Sequence, residues 1–251
     1  MNLYEAAKLR YSNRKYLMEN IDAKLYNDIV EHINSMFPLF EDVSYSIDII
    51  NALEDRKYLT KLVWVNAPYY ICIHSTNDKK AFMNAGYILE NIAVYLTQKG
   101  ISSCFMALFK TKLVQKDGMS PVIMLAFGKA KDIPYREDKY AKRLPMEKLV
   151  KGYDTAEDVV KGMLECARLA PSGYNAQPLR YVAKEQSIDI FSEKGSKIAM
   201  IDVGIAIANM FVVAEEKWQD VHLTLNNINQ IYFSGTKYVC TVELNEGKNT
   251  I

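Results

Sequence analysis

The chain has 251 residues and a formal net charge of +1, with 49% hydrophobic and 24% charged residues. That is enough apolar material for one large or two small globular cores. The near-zero net charge argues against a sequence-independent nucleic-acid binder, which needs a strong basic excess.

In chain order, Asn2 is placed to cap a short first helix, with Glu5 at the capping-box position. Asp22 caps a second helix whose apolar face runs Leu25, Ile29, Ile33, Met36, bounded by Pro38. Residues 43–50 and 67–74 read as strands, the second buried on both faces. A helix over about 81–99 is apolar nearly all round, and Gly100 supplies its C-terminal cap. Residues 121–127 form a strand. The following stretch, 129–143, is rich in Lys and Arg, contains Pro134, and taken alone reads as a solvated linker. Thr155 opens another helix, with Asp158 completing a capping box and Val159, Val160, Met163, Leu164 and Ala167 on its apolar face; Pro171 stops it. A loop, Ser172 to Pro178, leads to a strand at 179–184. A second all-apolar helix spans about 198–217, and a last strand spans 237–244.

Met1 to Tyr16 is charged and has no apolar run, so no signal peptide is read there and a cytoplasmic protein is expected. The run Ile198 to Ala214 contains Asp202 and Asn209 and falls short of the roughly 20 residues of a membrane span, so it reads as a core helix. The four cysteines, Cys72, Cys104, Cys166 and Cys240, are widely spaced and read as free buried thiols. His32, His74 and His222 are scattered, and no metal site is expected.

The two halves echo each other. Residues 85–95 (AGYILENIAVY) set against 203–213 (VGIAIANMFVV) match Gly86 with Gly204 and Asn91 with Asn209, at an offset of 118 residues. The flanking elements keep the same order. This predicts an ancient duplication, with the two apolar helices packed about a pseudo-twofold axis.

Three segments carry candidate chemistry. The first is Arg10-Tyr11-Ser12-Asn13-Arg14, where two guanidinium forks flank a hydroxyl; planar forks suit phosphate. The second is Ala170-Pro171-Ser172-Gly173-Tyr174-Asn175-Ala176-Gln177-Pro178, a loop stiffened by two prolines and dense in donors and acceptors. The third is Lys142-Arg143-Leu144-Pro145. Each alone has an ordinary surface reading. Together, RxSxR, APSxxNxQP and a basic KRLP segment resemble the nitroreductase family of FMN enzymes. The central helices, beginning Asp202-Val203-Gly204 and Asn84-Ala85-Gly86, are similar to that family's too.

The resemblance implies an α+β nitroreductase-like fold built as an internally duplicated pseudo-dimer around two central buried helices. The first half is 1–150, with RxSxR and the basic tail segment; the second, shorter half is 151–251, with the APSxxNxQP loop. The motifs are split between the halves: 34–40 lacks APSxxNxQP, while the second half has neither RxSxR nor KRLP. One complete FMN site per chain is what this division implies. Arg10, Ser12, Lys142 and Arg143 would hold the phosphate and ribityl chain, with Tyr11 beside them. Arg14 would sit by the pyrimidine edge, and Pro171, Ser172, Gly173 and Asn175 would pack on the ring system. Gln177 is assigned to stabilising the loop, and a backbone amide near 104–109 to flavin N5. No side chain is assigned as a catalytic acid or base. The expected activity is hydride transfer from NAD(P)H through the flavin to a nitroaromatic, quinone or similar small molecule, in a monomer that imitates a dimer, further self-association left open. No nucleic-acid or membrane partner is implied. The rivals are another reaction of the same superfamily, with 52–66 or 105–120 as a lid, and a flavin-binding or storage protein without turnover.

Overall fold

The computed structural model describes residues 1–60, 64–107, 118–226 and 230–245. Asn2 and Glu5 form the expected capping box on α1 (Leu3–Leu9). Asp22 caps α2 (Ala23–Asn34), accepting from the backbone of Lys24 and Leu25. Met36 lies beyond that helix but still packs on the core. Then follow β1 (Tyr45–Asn51), β2 (Tyr69–Ser75), α3 (Lys79–Gln98), β3 (Ser102–Met106) and β4 (Ser120–Gly128). The four strands form an antiparallel sheet in the order β1-β2-β4-β3.

A short helix, α4 (Met146–Leu149), and β5 (Val150–Lys151) lead to the second set: α5 (Asp158–Leu169), β6 (Leu179–Ala183), β7 (Ser187–Ser192), α6 (Lys197–Glu216), β8 (Val221–Thr224) and β9 (Lys237–Leu244). The second sheet runs β5-β6-β7-β9-β8. Without β5, its order repeats that of the first sheet. β5 itself pairs in parallel with β6, placing Val150 opposite Tyr181, so the chain stitches the end of 1–150 onto the following sheet.

The proposed capping box at Thr155 does not form. Thr155 closes a 3-10 turn, its hydroxyl donating to Gly152 O, and α5 starts later, at Asp158. β3, β5, β7 and β8 are strands that the sequence pattern does not assign. Helix α6 runs 20 residues and by length and composition could cross a membrane, contrary to the expectation that it is too short. It nevertheless lies inside, its apolar window 83% buried. A helix with no polar face belongs in a core, and this one is α3's main partner.

α3 and α6 cross so closely that backbone meets backbone. A methyl group on Gly86 would overlap the carbonyl oxygen of Ile201, and one on Gly204 would overlap that of Met83. The contact is reciprocal, because Met83 and Gly86 precede Ile201 and Gly204 by the same 118 positions. An isologous interface looks like this.

The C-termini of the two helices match as well. Ile101 N donates to Leu96 O at 2.8 Å, and Gln219 N to Ala214 O at 2.9 Å. Between them, Gly100 has φ +77°, and Trp218 has φ 57° in the corresponding place. Glycine takes this left-handed position without penalty; tryptophan does not, and Trp218 is 94% exposed, so packing offsets little of the strain. Trp218→Gly should therefore stabilise the protein by about 1 kcal/mol, read as a higher urea midpoint at unchanged slope.

Candidate functional site

The site grows from three chain segments that the fold holds against each other. After α1 the chain runs alongside β3 as an added edge: Ser12 pairs in parallel with Ser103, and Asn13 N donates to Ser103 O at 3.0 Å. Tyr16 OH locks the turn by donating to Asn13 O. The stretch read as a solvated linker is tied to this edge. Lys131 N donates to Lys15 O, Arg136 N donates to Leu9 O, and the Arg136 guanidinium stands 5.7 Å from the Tyr11 ring.

The loop after α5 is fixed from both sides. Gly173 N donates to the buried Asp202 carboxylate at 3.0 Å, and Gln177 N donates to Ser172 Oγ. Tyr174, Asn175 and Gln177 all have positive φ, between 48° and 55°. Such backbone persists only where the surroundings over-determine it, and it concentrates at functional sites. The basic tail segment supplies part of that constraint. Arg143 donates to Asn175 Oδ1 at 2.7 Å and to Leu169 O at 3.0 Å; Asn175 Nδ2 donates to Lys142 O; Leu144 N donates to Gln177 Oε1. Gln177 thus stabilises the loop as expected, and does so by clasping the tail segment.

All ten predicted site residues line one of two adjoining concavities. The larger, about 550 Å³, holds Arg10, Tyr11, Lys142, Arg143 and Asn175 together with Arg136. The smaller, about 270 Å³, has an apolar wall that includes Phe105, Ile198, Ile201 and Ile205, with Gly173 and Asp202 beside it. Ser12, Arg14, Pro171, Ser172 and Tyr174 line both and so form the passage between them. Asn175 faces the basic concavity rather than the apolar one, its amide engaged by Arg143 and Lys142. Of the stretch assigned to flavin N5, 108–109 lie outside the described residues. The side chains of Trp64, Arg136, Phe105 and Asp202 also line these concavities, and the sequence assigned none of them to the site. Trp64 and Arg136 sit in segments read as loop or linker, and α6 is apolar all round, so nothing in its pattern marks the face that lines a cavity.

Charge sorts the two concavities. Five cations line the larger one, and among the described residues no carboxylate does. Arg10 is 2% exposed, with Nε 3.0 Å from Glu90 Oε1, and among the described residues its Nη1 has no hydrogen-bond partner. Arg136 Nε and Arg143 Nε are likewise buried without a partner among the described residues. Burial, then the neighbouring Arg10 and Arg136 charges, pulls Arg143 down to about 10. Clustered buried cations whose hydrogen-bonding capacity is only partly used form a ready cradle for an oxyanion. In the smaller concavity, burial pushes Asp202 up to about 7 against the opposing Gly173 hydrogen bond.

Asp202→Ala should leave the Gly173 N–H unpaired, costing about 1–3 kcal/mol in a denaturation experiment, while Asp202→Asn keeps an acceptor and costs less. The raised Asp202 also sets a sign. Its contribution to apoprotein stability is complete below about pH 4, where unfolded carboxylates begin to ionise, and is lost as the pH rises to about 7. Asp202→Asn should flatten that part of the profile.

Taken together, this is an α+β protein whose cleft joins a cationic cradle to an apolar slot, a shape for a ring system with an anionic tail. The chain belongs to the family described as "Putative TM nitroreductase", whose model matches residues 2–214. A putative nitroreductase from Thermotoga maritima has a similar structure, at 19% identity and a TM-score of 0.69, covering 98% of this chain and 94% of that one. A nitroreductase family protein from Clostridium difficile covers 61% of this chain and 98% of its own, at 19% identity and a TM-score of 0.50. A putative nitroreductase in complex with FMN from Exiguobacterium sibiricum covers 59% and 95%, at 16% identity and a TM-score of 0.46. Among curated proteins no match is found.

Proposed function

We propose that this protein is an FMN-dependent oxidoreductase in which one chain does the work of a nitroreductase dimer, with 1–150 and 151–251 as its two halves. The carrying observation is the pair of adjoining concavities: five cations with no carboxylate among the described lining residues in one, an apolar slot in the other, and RxSxR and APSxxNxQP residues forming the passage between them. The donor set fits the phosphate and ribityl chain of FMN. Arg10, Arg136, Lys142 and Arg143 would take the phosphate, with Ser12 and Tyr11 along the ribityl chain. The apolar wall of Phe105, Ile198 and Ile205 would pack on the ring system, with Pro171, Ser172 and Gly173 on the side of the second half. The residues above would hold FMN, which when bound would supply hydride chemistry between NAD(P)H and an electron-poor acceptor such as a quinone or nitroaromatic. Arg14, 5.6 Å from the Trp64 ring, would stand at the pyrimidine edge, where a fixed cation favours the reduced, anionic flavin.

The reciprocal crossing of α3 and α6 and the repeated sheet order support duplication. The loop after α2 keeps a trace of it. Asn84, which stands where Asp202 stands in the second half, bonds both N and O of Phe40, as Asp202 bonds Gly173. The first half thus retains the scaffold of a second site without the APSxxNxQP residues.

The FMN-loaded protein should oxidise NAD(P)H with menadione or a nitroaromatic as acceptor, in a ping-pong pattern. Tight FMN binding with negligible oxidation across such acceptors would favour the storage reading instead.

A further inference from the structure

Beneath the cationic concavity lies a group that the proposed function does not use. Glu90, in the middle of α3, is fully buried, and among the described residues no donor makes a well-aligned hydrogen bond to its carboxylate. Its nearest charge is Arg10, from the end of α1, at 3.0 Å; Arg143, from the tail segment, is the next cation. From α6 the Asn209 side chain also faces it and opposes the rise, while its amide nitrogen donates to Cys166 O at 3.3 Å. From α5 the Cys166 thiol faces it, and burial keeps that thiol protonated. Arg136 adds its charge to the same cluster through Arg10. Burial pushes Glu90 up to about 7, with Arg10 and Arg143 opposing, so near neutral pH a small change in local field decides whether it is charged.

We propose that Glu90 is a positioning residue that neutralises Arg10 in the free protein and takes up a proton from solvent as the flavin phosphate docks, releasing Arg10 to the phosphate. The physical reason is like-charge repulsion. A phosphate monoester carries nearly two negative charges above its second ionisation, near pH 6. Set against the same guanidinium groups, it makes the carboxylate harder to ionise. This rests on the FMN reading above.

Linkage fixes the sign. If binding takes up a proton at Glu90, affinity is greatest below the free-protein value of about 7 and declines as pH rises from there towards the higher value in the complex. FMN should bind up to tenfold more weakly per pH unit in the window above pH 7. Riboflavin, which lacks the phosphate, serves as the control; Asp202 borders the apolar slot and would affect both flavins alike.

The test is titration of the wild-type protein with FMN and with riboflavin from pH 6.5 to 8.5, with calorimetry in two buffers of different ionisation enthalpy to count protons. Expected are a declining FMN-to-riboflavin affinity ratio above pH 7, net proton uptake for FMN alone, and loss of both in Glu90→Gln. An FMN-to-riboflavin ratio that does not change with pH, or no difference in proton uptake between the flavins, would overturn the proposal. If Glu90→Gln does not fold, the wild-type proton count still decides it. Failure of FMN to bind at any pH would instead remove the FMN reading.

Discussion

Gly204→Ala should be among the most damaging single methyl groups that can be added to this protein. The new carbon would overlap Met83 O and lie 2.8 Å from Tyr87 N, so α3 and α6 would have to separate along their crossing. Overpacking that flexible side chains can absorb costs about 1–3 kcal/mol. Here the neighbours are helix backbones, and the expected cost is about 3 kcal/mol or more. At this chain length that lowers the melting temperature by roughly 6 °C or more. Gly86→Ala should cost a similar amount, because the contact is reciprocal. Gly162→Ala, in α5, is the control: its added carbon would meet only a Val213 methyl, at 3.2 Å, and helical Ala is favoured over Gly by about 1 kcal/mol. Thermal denaturation of the three variants checks this, and a Gly204→Ala protein as stable as the wild type would contradict the close crossing.

The second large effect concerns the cations. Arg143→Ala should weaken FMN about tenfold to a hundredfold, the worth of one charge-assisted contact of roughly 1.5–3 kcal/mol. Riboflavin should lose less. It should still lose something, because Arg143 also ties Asn175 and Leu169 together and so shapes the loop. Arg10→Ala should differ. It removes a phosphate donor and also strands Glu90 in the core, and an unpaired buried charge is strongly destabilising. Apoprotein stability should therefore fall with Arg10→Ala, and pairing Arg10→Met with Glu90→Gln should recover much of it without recovering FMN. Flavin titrations alongside urea denaturation separate the two roles. Equal losses for FMN and riboflavin with Arg143→Ala would remove the phosphate assignment.

Much of this arrangement is legible in the sequence, and the limits have physical causes. Helices with a strong cap or no polar face announce themselves: α1, α2, α3 and α6 begin or end within about two residues of the reading. β9 also lies where its pattern places it. Thr155 has the residues of a capping box without the helix, because a 3-10 turn uses its hydroxyl first. β7 hides because Asp189 interrupts its apolar pattern; in the sheet that carboxylate is buried, accepting from Thr241 and paired with Lys184. The three motifs line adjoining concavities, as the family resemblance implies. Arg136 was not visible, since only the tertiary fold brings a linker arginine over Tyr11. Glu90 was hidden for the opposite reason: a single acid in an apolar helix gives no hint of what lies above it.

The central claim is that one chain holds one complete flavin site. It is tested most directly by saturating the purified protein with FMN, removing free flavin by gel filtration and comparing flavin absorbance with protein concentration. The account predicts close to one FMN per chain, retained through filtration. A ratio near two would mean that both halves kept a working site, and a protein that retains no flavin would contradict the account outright.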